Sequence, residues 1–115
     1  MITVKATREG LIGKTTASGY VIDTIVPFVA LPAEFAIGKH VEVRNPLNGK
    51  SCIAVVLDIG PWRTQDYAYV LGGARPVAES MPATNGAGID LGEKVWALLG
   101  MTDNTNVSWR FIDPS

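Results

Sequence analysis

The chain is poor in the residues that most reactive sites use. It has a single cysteine, Cys52, and a single histidine, His40, in 115 residues. One thiol cannot close a disulfide within the chain, and no Cys/His cluster exists to ligate a metal. No metal and no cofactor is therefore expected. Cys52 lies inside the apolar run "SCIAVVL", which suits an inert buried thiol better than a nucleophile. His40 opens a strand with no partner motif around it. Also missing is a basic stripe: the 10 Lys and Arg are scattered among 11 Asp and Glu, for a formal net charge of -1. That argues against a nucleic-acid partner. No hydrophobic run reaches the roughly 20 residues of a membrane span. The first residues, "MITVKATREG", have no apolar h-region, so no signal peptide is expected in this chain. A cytoplasmic life, release by lysis and a specialised export route all stay open.

Composition and patterning point to β structure. With 47% hydrophobic and 18% charged residues the chain can bury a core, and its length suits one domain, residues 1–115. Twelve Gly and seven Pro imply many turns and few long helices. "ITVKATR", "HVEVRN" and "NVSWRFID" alternate as strands do. "YVIDTIVPFVAL" is β-branched but broken by Pro27, which predicts an edge strand or two short ones. "PLNGK" reads as a hairpin connection with Asn48-Gly49 supplying positive φ. "SCIAVVLD" is nearly all apolar, as a strand buried on both faces of a closed barrel would be. One helix is expected at 90–100, with Leu91, Val95, Leu98 and Leu99 on one face, Asp90 as N-cap, Glu93 in a capping-box position and Gly100 as the stop. Between Gly60 and Gly88 runs a long irregular excursion carrying Trp62, Tyr67 and Tyr69.

"VVLDIGPW", residues 55 to 62, is the stretch with the most chemistry. Asp58 leaves an apolar strand just before a Gly-Pro turn. It either hydrogen-bonds the turn's amides or serves as an acid whose pKa partial burial raises. Asp90 is either a plain N-cap or a second acid facing the same groove. Trp62, Tyr67 and Tyr69 are candidate rings for stacking on sugars; the alternatives are a barrel-mouth core residue and one face of a short strand. Arg63 is a candidate contact for ligand carboxylates, and Arg75 flanks the same excursion. Asp23 has no assignment.

Taken together, "GKHVEVRNPLNGKSCIAVVLDIGPW" and "GIDLGEKVWALLGM" resemble the double-psi β-barrel domain of rare lipoprotein A. That family runs "N-x-x-N-G-(R/K)", a strand, "N-D-R-G-P-(F/W)", a loop, then "I-D-L-S" opening a helix that ends in "L-G-M". "TASGY" is similar to its "TASGE"-type start, and "ALP" to its "H-K-T-L-P". The resemblance implies a mainly β fold: a six-stranded double-psi β-barrel with one short helix at about 90–100, related to expansins and family 45 endoglucanases. It implies a bacterial cell-wall ligand, the glycan strand of peptidoglycan, and a place in the periplasm or cell envelope. It also implies lytic-transglycosylase-like cleavage with Asp58 as general acid/base and Asp90 as the second acid.

Four positions depart from the pattern. Phe28 stands at the family's histidine, Leu57 and Ile59 flank Asp58 where Asn and Arg are usual, and Gly92 replaces the Ser after "I-D-L". Three functions therefore stay in play. One is glycan cleavage. Another is expansin-like glycan binding without cleavage, and the third is a structural or protein-interaction barrel of a phage or secretion particle.

Overall fold

The computed structural model describes residues 1–62 and 65–112. Six strands form the frame: β1 Ile2–Arg8, β2 Phe28–Leu31, β3 His40–Arg44, β4 Ser51–Ile59, β5 Ile89–Leu91 and β6 Asn106–Phe111. They close in the order β1-β5-β2-β4-β3-β6. Two neighbouring pairs are parallel, β1 with β5 and β2 with β4; the other four are antiparallel. This is the mixed, six-stranded double-psi barrel that the sequence motifs imply. Closure leaves no strand edge unpaired.

Alternation fills the interior. Val4 and Ala6 of β1, Val29 and Leu31 of β2, and Val41 and Val43 of β3 belong to one buried cluster. Ala54, Val56, Ile89, Leu91, Val107 and Trp109 complete it from the other three strands. Each fully buried Val, Leu or Ile contributes about 1.5–3 kcal/mol relative to an exposed one. The cluster thus fixes the register of every strand, because a one-residue slip would turn its apolar set outward.

Several expectations need correction. β2 is not an edge strand: it pairs with β4 on one side and β5 on the other. Residues before Pro27 are not strand either. Asp23 turns the chain there, its Oδ1 accepting from the Ile25 and Val26 amides and from the Tyr20 hydroxyl. β4 is buried on its inner face only, and Ile53 on the outer face is 59% exposed. Gly49 has φ of 76°, but Asn48 does not take positive φ. Asn48 instead works with Asn45: both side-chain amides donate to the Leu99 carbonyl at 3.0 Å. The hairpin connection thereby holds the C-terminal end of the helix, a reason for two Asn in "NPLNG" that turn chemistry alone does not give.

The helix itself is shorter than expected. α2 spans Glu93–Leu98 with Gly92 as its N-cap residue. Asp90 is not a cap. It sits mid-strand in β5 because "IDL" is laddered on both sides, to β1 and to β2. Glu93 does not reach back to cap the helix; it forms a two-point pair with Arg8, Nη2 to Oε2 at 2.6 Å. The excursion carries a short helix, α1 Tyr67–Val70, and a 3-10 turn at Val77–Ser80, so Tyr67 and Tyr69 are not on a strand. Buried Asp66 ties the two together: its Oδ2 accepts from the Val77 amide at 2.7 Å. Arg75 anchors the excursion to the barrel, bonding Glu79 at 2.6 Å and the Thr3 carbonyl at 2.9 Å.

Candidate functional site

Strand register brings the two candidate aspartates into one row. Thr7 of β1 pairs with Asp90, Asp90 pairs with Ala30 of β2, and Ala30 pairs with Asp58 of β4. The pairing is possible because the β2–β4 register shifts after Val29. Val56 faces the core opposite Val29; in an unshifted ladder Leu57 would pair with Ala30, and Asp58, two residues past Val56, would point inward as well. A bulge re-aims one side chain at the cost of one ladder position. Here it turns Asp58 to the outer face that Thr7, Ala30 and Asp90 share. Asp58 and Asp90 are separated by one strand, and the side chain between them is only a methyl group.

A third carboxyl joins them. Glu9 lies two residues past Thr7, on the same side of the chain, and its amide donates to the Leu91 carbonyl at 2.9 Å. Its carboxyl lies close enough to those of Asp58 and Asp90 for their charges to act on it. Burial, and then the charges of Asp58 and Asp90, push the Glu9 pKa up to about 8. Burial raises Asp90 to about 6, with the Thr7 hydroxyl bond pulling the other way and Asp58 adding to the rise. The Thr7 Oγ1 donates to Asp90 Oδ1. At neutral pH the rim is therefore mixed, with Glu9 largely neutral and Asp90 largely ionised.

The walls of the rim come from two connections. From Glu9 to Pro27 the β1–β2 connection folds across β4. The Ala17 amide donates to Asp58 Oδ1 at 2.9 Å, and the Ser18 amide reaches the Leu57 carbonyl at 3.3 Å. Asp58 Oδ1 also accepts from the Ile59 amide at 2.9 Å. Its two amide partners are Ile59, still in β4, and Ala17 of the β1–β2 connection; the Gly60 amide goes to the Leu31 carbonyl instead. Opposite lies Gly60, where a Cβ would stand 3.2 Å from Asp90 Oδ2 and 3.7 Å from the Ala30 Cβ. A side chain there would press on the Asp90 carboxyl, which would have to give by a few tenths of an ångström. Two polar atoms in these bordering segments, Glu9 Oε2 and Trp62 Nε1, are fully buried with no partner among the described residues.

Two departures from the motif prove to be one packing event. Phe28 is fully buried, and its ring lies against Gly92, where any Cβ would overlap it. Tyr20 packs edge-on to the same ring at 5.4 Å. Phenylalanine at the histidine position thus requires glycine at the serine position. No titratable side chain stands there to pass a proton to the row.

The remaining candidates separate. Trp62 is half-buried, two residues past Gly60. Tyr67 is 48% exposed but stacks on Phe35 at 5.5 Å, in an aromatic chain leading to Phe111 and Trp109. Tyr69 must be withdrawn as a sugar platform. It is 1% exposed, its hydroxyl donates to the Gly88 carbonyl, and it accepts from Trp109 Nε1, both at 2.8 Å. Arg63 lies outside the described residues. His40 is exposed at the start of β3. Cys52, whose thiol burial pushes up to about 11, is no nucleophile. Glu9 was missed by sequence reasoning; the one available signal was an acid immediately after a strand that ends beside "IDL". A cavity of about 410 Å³ lies elsewhere, lined by Tyr69, Trp109 and Phe111 among others. Among the described residues no group of His, Cys, Asp and Glu is arranged to hold a metal, and no helix is long and apolar enough to cross a membrane.

The barrel and its rim define a double-psi-type β-barrel protein, and solved structures agree. The papain inhibitor of Streptomyces superposes with a TM-score of 0.55 at 21% identity, over 94% of this chain and 92% of the inhibitor. Cerato-platanin 3 of M. perniciosa superposes with a TM-score of 0.58 at 11% identity, over 97% and 95%. At these identities the likeness is one of fold. No curated protein matches the sequence. Residues 1–85 match the domain of unknown function DUF8814, and the chain belongs to that family.

Proposed function

We propose that this chain is a carbohydrate-binding barrel that holds a glycan strand at the Glu9–Asp58–Asp90 rim without cutting it. The observation that carries this reading is the rim's composition: three clustered carboxyl groups, Glu9, Asp58 and Asp90, with Glu9 Oε2 unpartnered, on a rim whose bordering segment runs on from Gly60 to a half-buried Trp62. Carboxyl oxygens accept from sugar hydroxyls, and an indole face covers the apolar face of a pyranose. The motif resemblance makes the glycan strand of peptidoglycan the first ligand to test. Cleavage with Asp58 as general acid/base is the weaker reading. Asp58 Oδ1 is engaged by two backbone amides, and the buried Phe28 ring stands where the motif has histidine.

The test is retention on insoluble peptidoglycan, cellulose and chitin, with soluble sugar fragments assayed in the same tubes. Wild type is expected to be retained on at least one polymer and to release nothing, and Glu9→Gln with Asp58→Asn to lose retention while staying folded. Fragment release by wild type that disappears in Asp58→Asn would make the protein an enzyme.

A second reading has one observation in its favour. The β1–β2 connection exposes four large apolar side chains, Leu11 (60%), Ile12 (61%), Val21 (56%) and Ile25 (74%). Exposed apolar side chains of this kind suit docking to a protein, and the name of the Streptomyces neighbour makes a papain-like protease one partner to try. Inhibition of papain by wild type, lost in Ile12→Asp with Ile25→Asp, would move the function from the rim to this connection.

A further inference from the structure

The closed barrel offers no strand edge, but the β1–β2 connection does. Within it, residues 13–16 and 20–22 form a two-stranded ribbon. The Thr16 amide donates to the Tyr20 carbonyl at 2.8 Å and the Ile22 amide to the Lys14 carbonyl at 2.9 Å, on either side of the Thr15–Val21 pair. In an antiparallel ladder, the two residues of such a pair turn their own N–H and C=O groups away from each other. The Thr15 edge faces β4, because the Ala17 amide, two residues on and aimed the same way, donates to Asp58 Oδ1. The Val21 edge therefore faces away from the barrel. Among the described residues, no hydrogen bond reaches the Val21 N–H or C=O. Its side chain is 56% exposed, whereas Ile22 is buried and Tyr20 packs edge-on to Phe28. Edge strands that avoid pairing carry charge, proline or a bulge. Residues 19–22, Gly-Tyr-Val-Ile, carry neither charge nor proline.

We propose that this edge pairs with the same edge of a second copy of the chain. A donor and an acceptor on one residue are self-complementary. About a twofold axis at Val21, each copy's N–H donates to the other's C=O, and two ribbons become four antiparallel strands. Leu11, Ile12 and Ile25, on the bends at the ribbon's open end, are all at least 60% exposed and add apolar area to the contact. Two hydrogen bonds and a few aliphatic side chains fall short of the roughly 1,200 Å² at which stable interfaces begin, so the dimer is weak, half-formed on the order of 0.1 mM. The pairing does not depend on what the acidic rim holds.

The experiment is analytical ultracentrifugation of the whole chain from about 10 μM to about 1 mM, a span centred on the expected midpoint. The average mass of wild type should rise from 12.3 kDa toward twice that. Val21→Lys sets two like charges across the axis and should weaken the dimer about tenfold or more. Ile53→Lys, which charges a comparably exposed aliphatic on the outer face of β4, should leave it unchanged. Hydrogen exchange gives a second readout that needs no variant: the Val21 amide should exchange more slowly as concentration rises. A chain that stays monomeric at the highest concentration would overturn the proposal. So would a dimer that leaves Val21 exchange unprotected, survives Val21→Lys, or is broken by Ile53→Lys, because its interface would then lie elsewhere.

Discussion

The two ends of β1 face different surroundings. Near its start, Ile2 pairs with Trp109 of β6, and the aromatic chain Tyr69–Trp109–Phe111–Phe35 packs ring on ring. Every polar atom placed there has a partner: the Trp109 indole N–H donates to the Tyr69 hydroxyl, which donates to the Gly88 carbonyl. Near its end, Thr7 and Glu9 meet Asp90 and Asp58, the buried Glu9 Oε2 lacks a partner, and two carboxyls are pushed far from their ordinary range. Buried polar groups that are satisfied belong to architecture. Those left crowded or unpaired mark where a fold gives up stability for something else.

The largest effect should come from the satisfied end. Tyr69→Phe orphans both the Trp109 N–H and the Gly88 carbonyl, and about 2–4 kcal/mol of stability should be lost. Urea unfolding measures it, and glycan affinity should not change. Next is Gly92→Ser, whose Cβ overlaps Phe28; overpacking of this kind costs about 1–3 kcal/mol. Adding Phe28→His should recover much of the loss, and a double-mutant cycle would show the coupling. A cycle with no coupling would separate the two departures again.

The pH response comes third and carries a definite sign. Glu9 has a folded pKa of about 8, above its ordinary 4.5, and Asp90 about 6, above 3.8. Between the unfolded and folded values the native state binds more protons than the unfolded chain, so stability falls as pH rises. For Asp90 that window is 3.8 to 6, and for Glu9 it is 4.5 to 8. Stability should therefore decline from about pH 5 to pH 8. Glu9→Gln should flatten the slope above pH 6 and be more stable than wild type at pH 8. A wild type at least as stable at pH 8 as at pH 5 would remove the picture of buried, crowded carboxyls at the rim. The smallest effect is Asn45→Ala, which removes one of two amides from the Leu99 carbonyl and should cost about 1 kcal/mol.

Much of the frame was legible in the sequence. Alternation marked β1, β3 and β6, and "PLNGK" marked the β3–β4 hairpin. "NPLNG", "DIGPW" and "GIDLG" in order marked the barrel type. What was not legible depends on long-range pairing. Asp90 reads as a helix cap because its neighbours in sequence form a helix. Its neighbours in space, Thr7 and Ala30, make it a strand residue. Tyr69 reads as a surface ring because it sits in a Gly- and Pro-rich excursion, yet α1 turns it into the core. Glu9 stays hidden because its chemistry exists only once β1, β4 and β5 bring three carboxyls together. Even the aim of Asp58 rests on a one-residue bulge that no local pattern announces.

The central claim is that the acidic rim, not the aromatic end, is where a glycan binds. Carboxyl and backbone NMR shifts of labelled protein, recorded while a chitosan- or cellulose-derived oligomer is titrated in, test it most directly. The account predicts changes concentrated at Thr7, Glu9, Ala30, Asp58, Trp62 and Asp90, with Tyr69, Trp109 and Phe111 unmoved. Changes centred on the aromatic end, or none at either end, would contradict it.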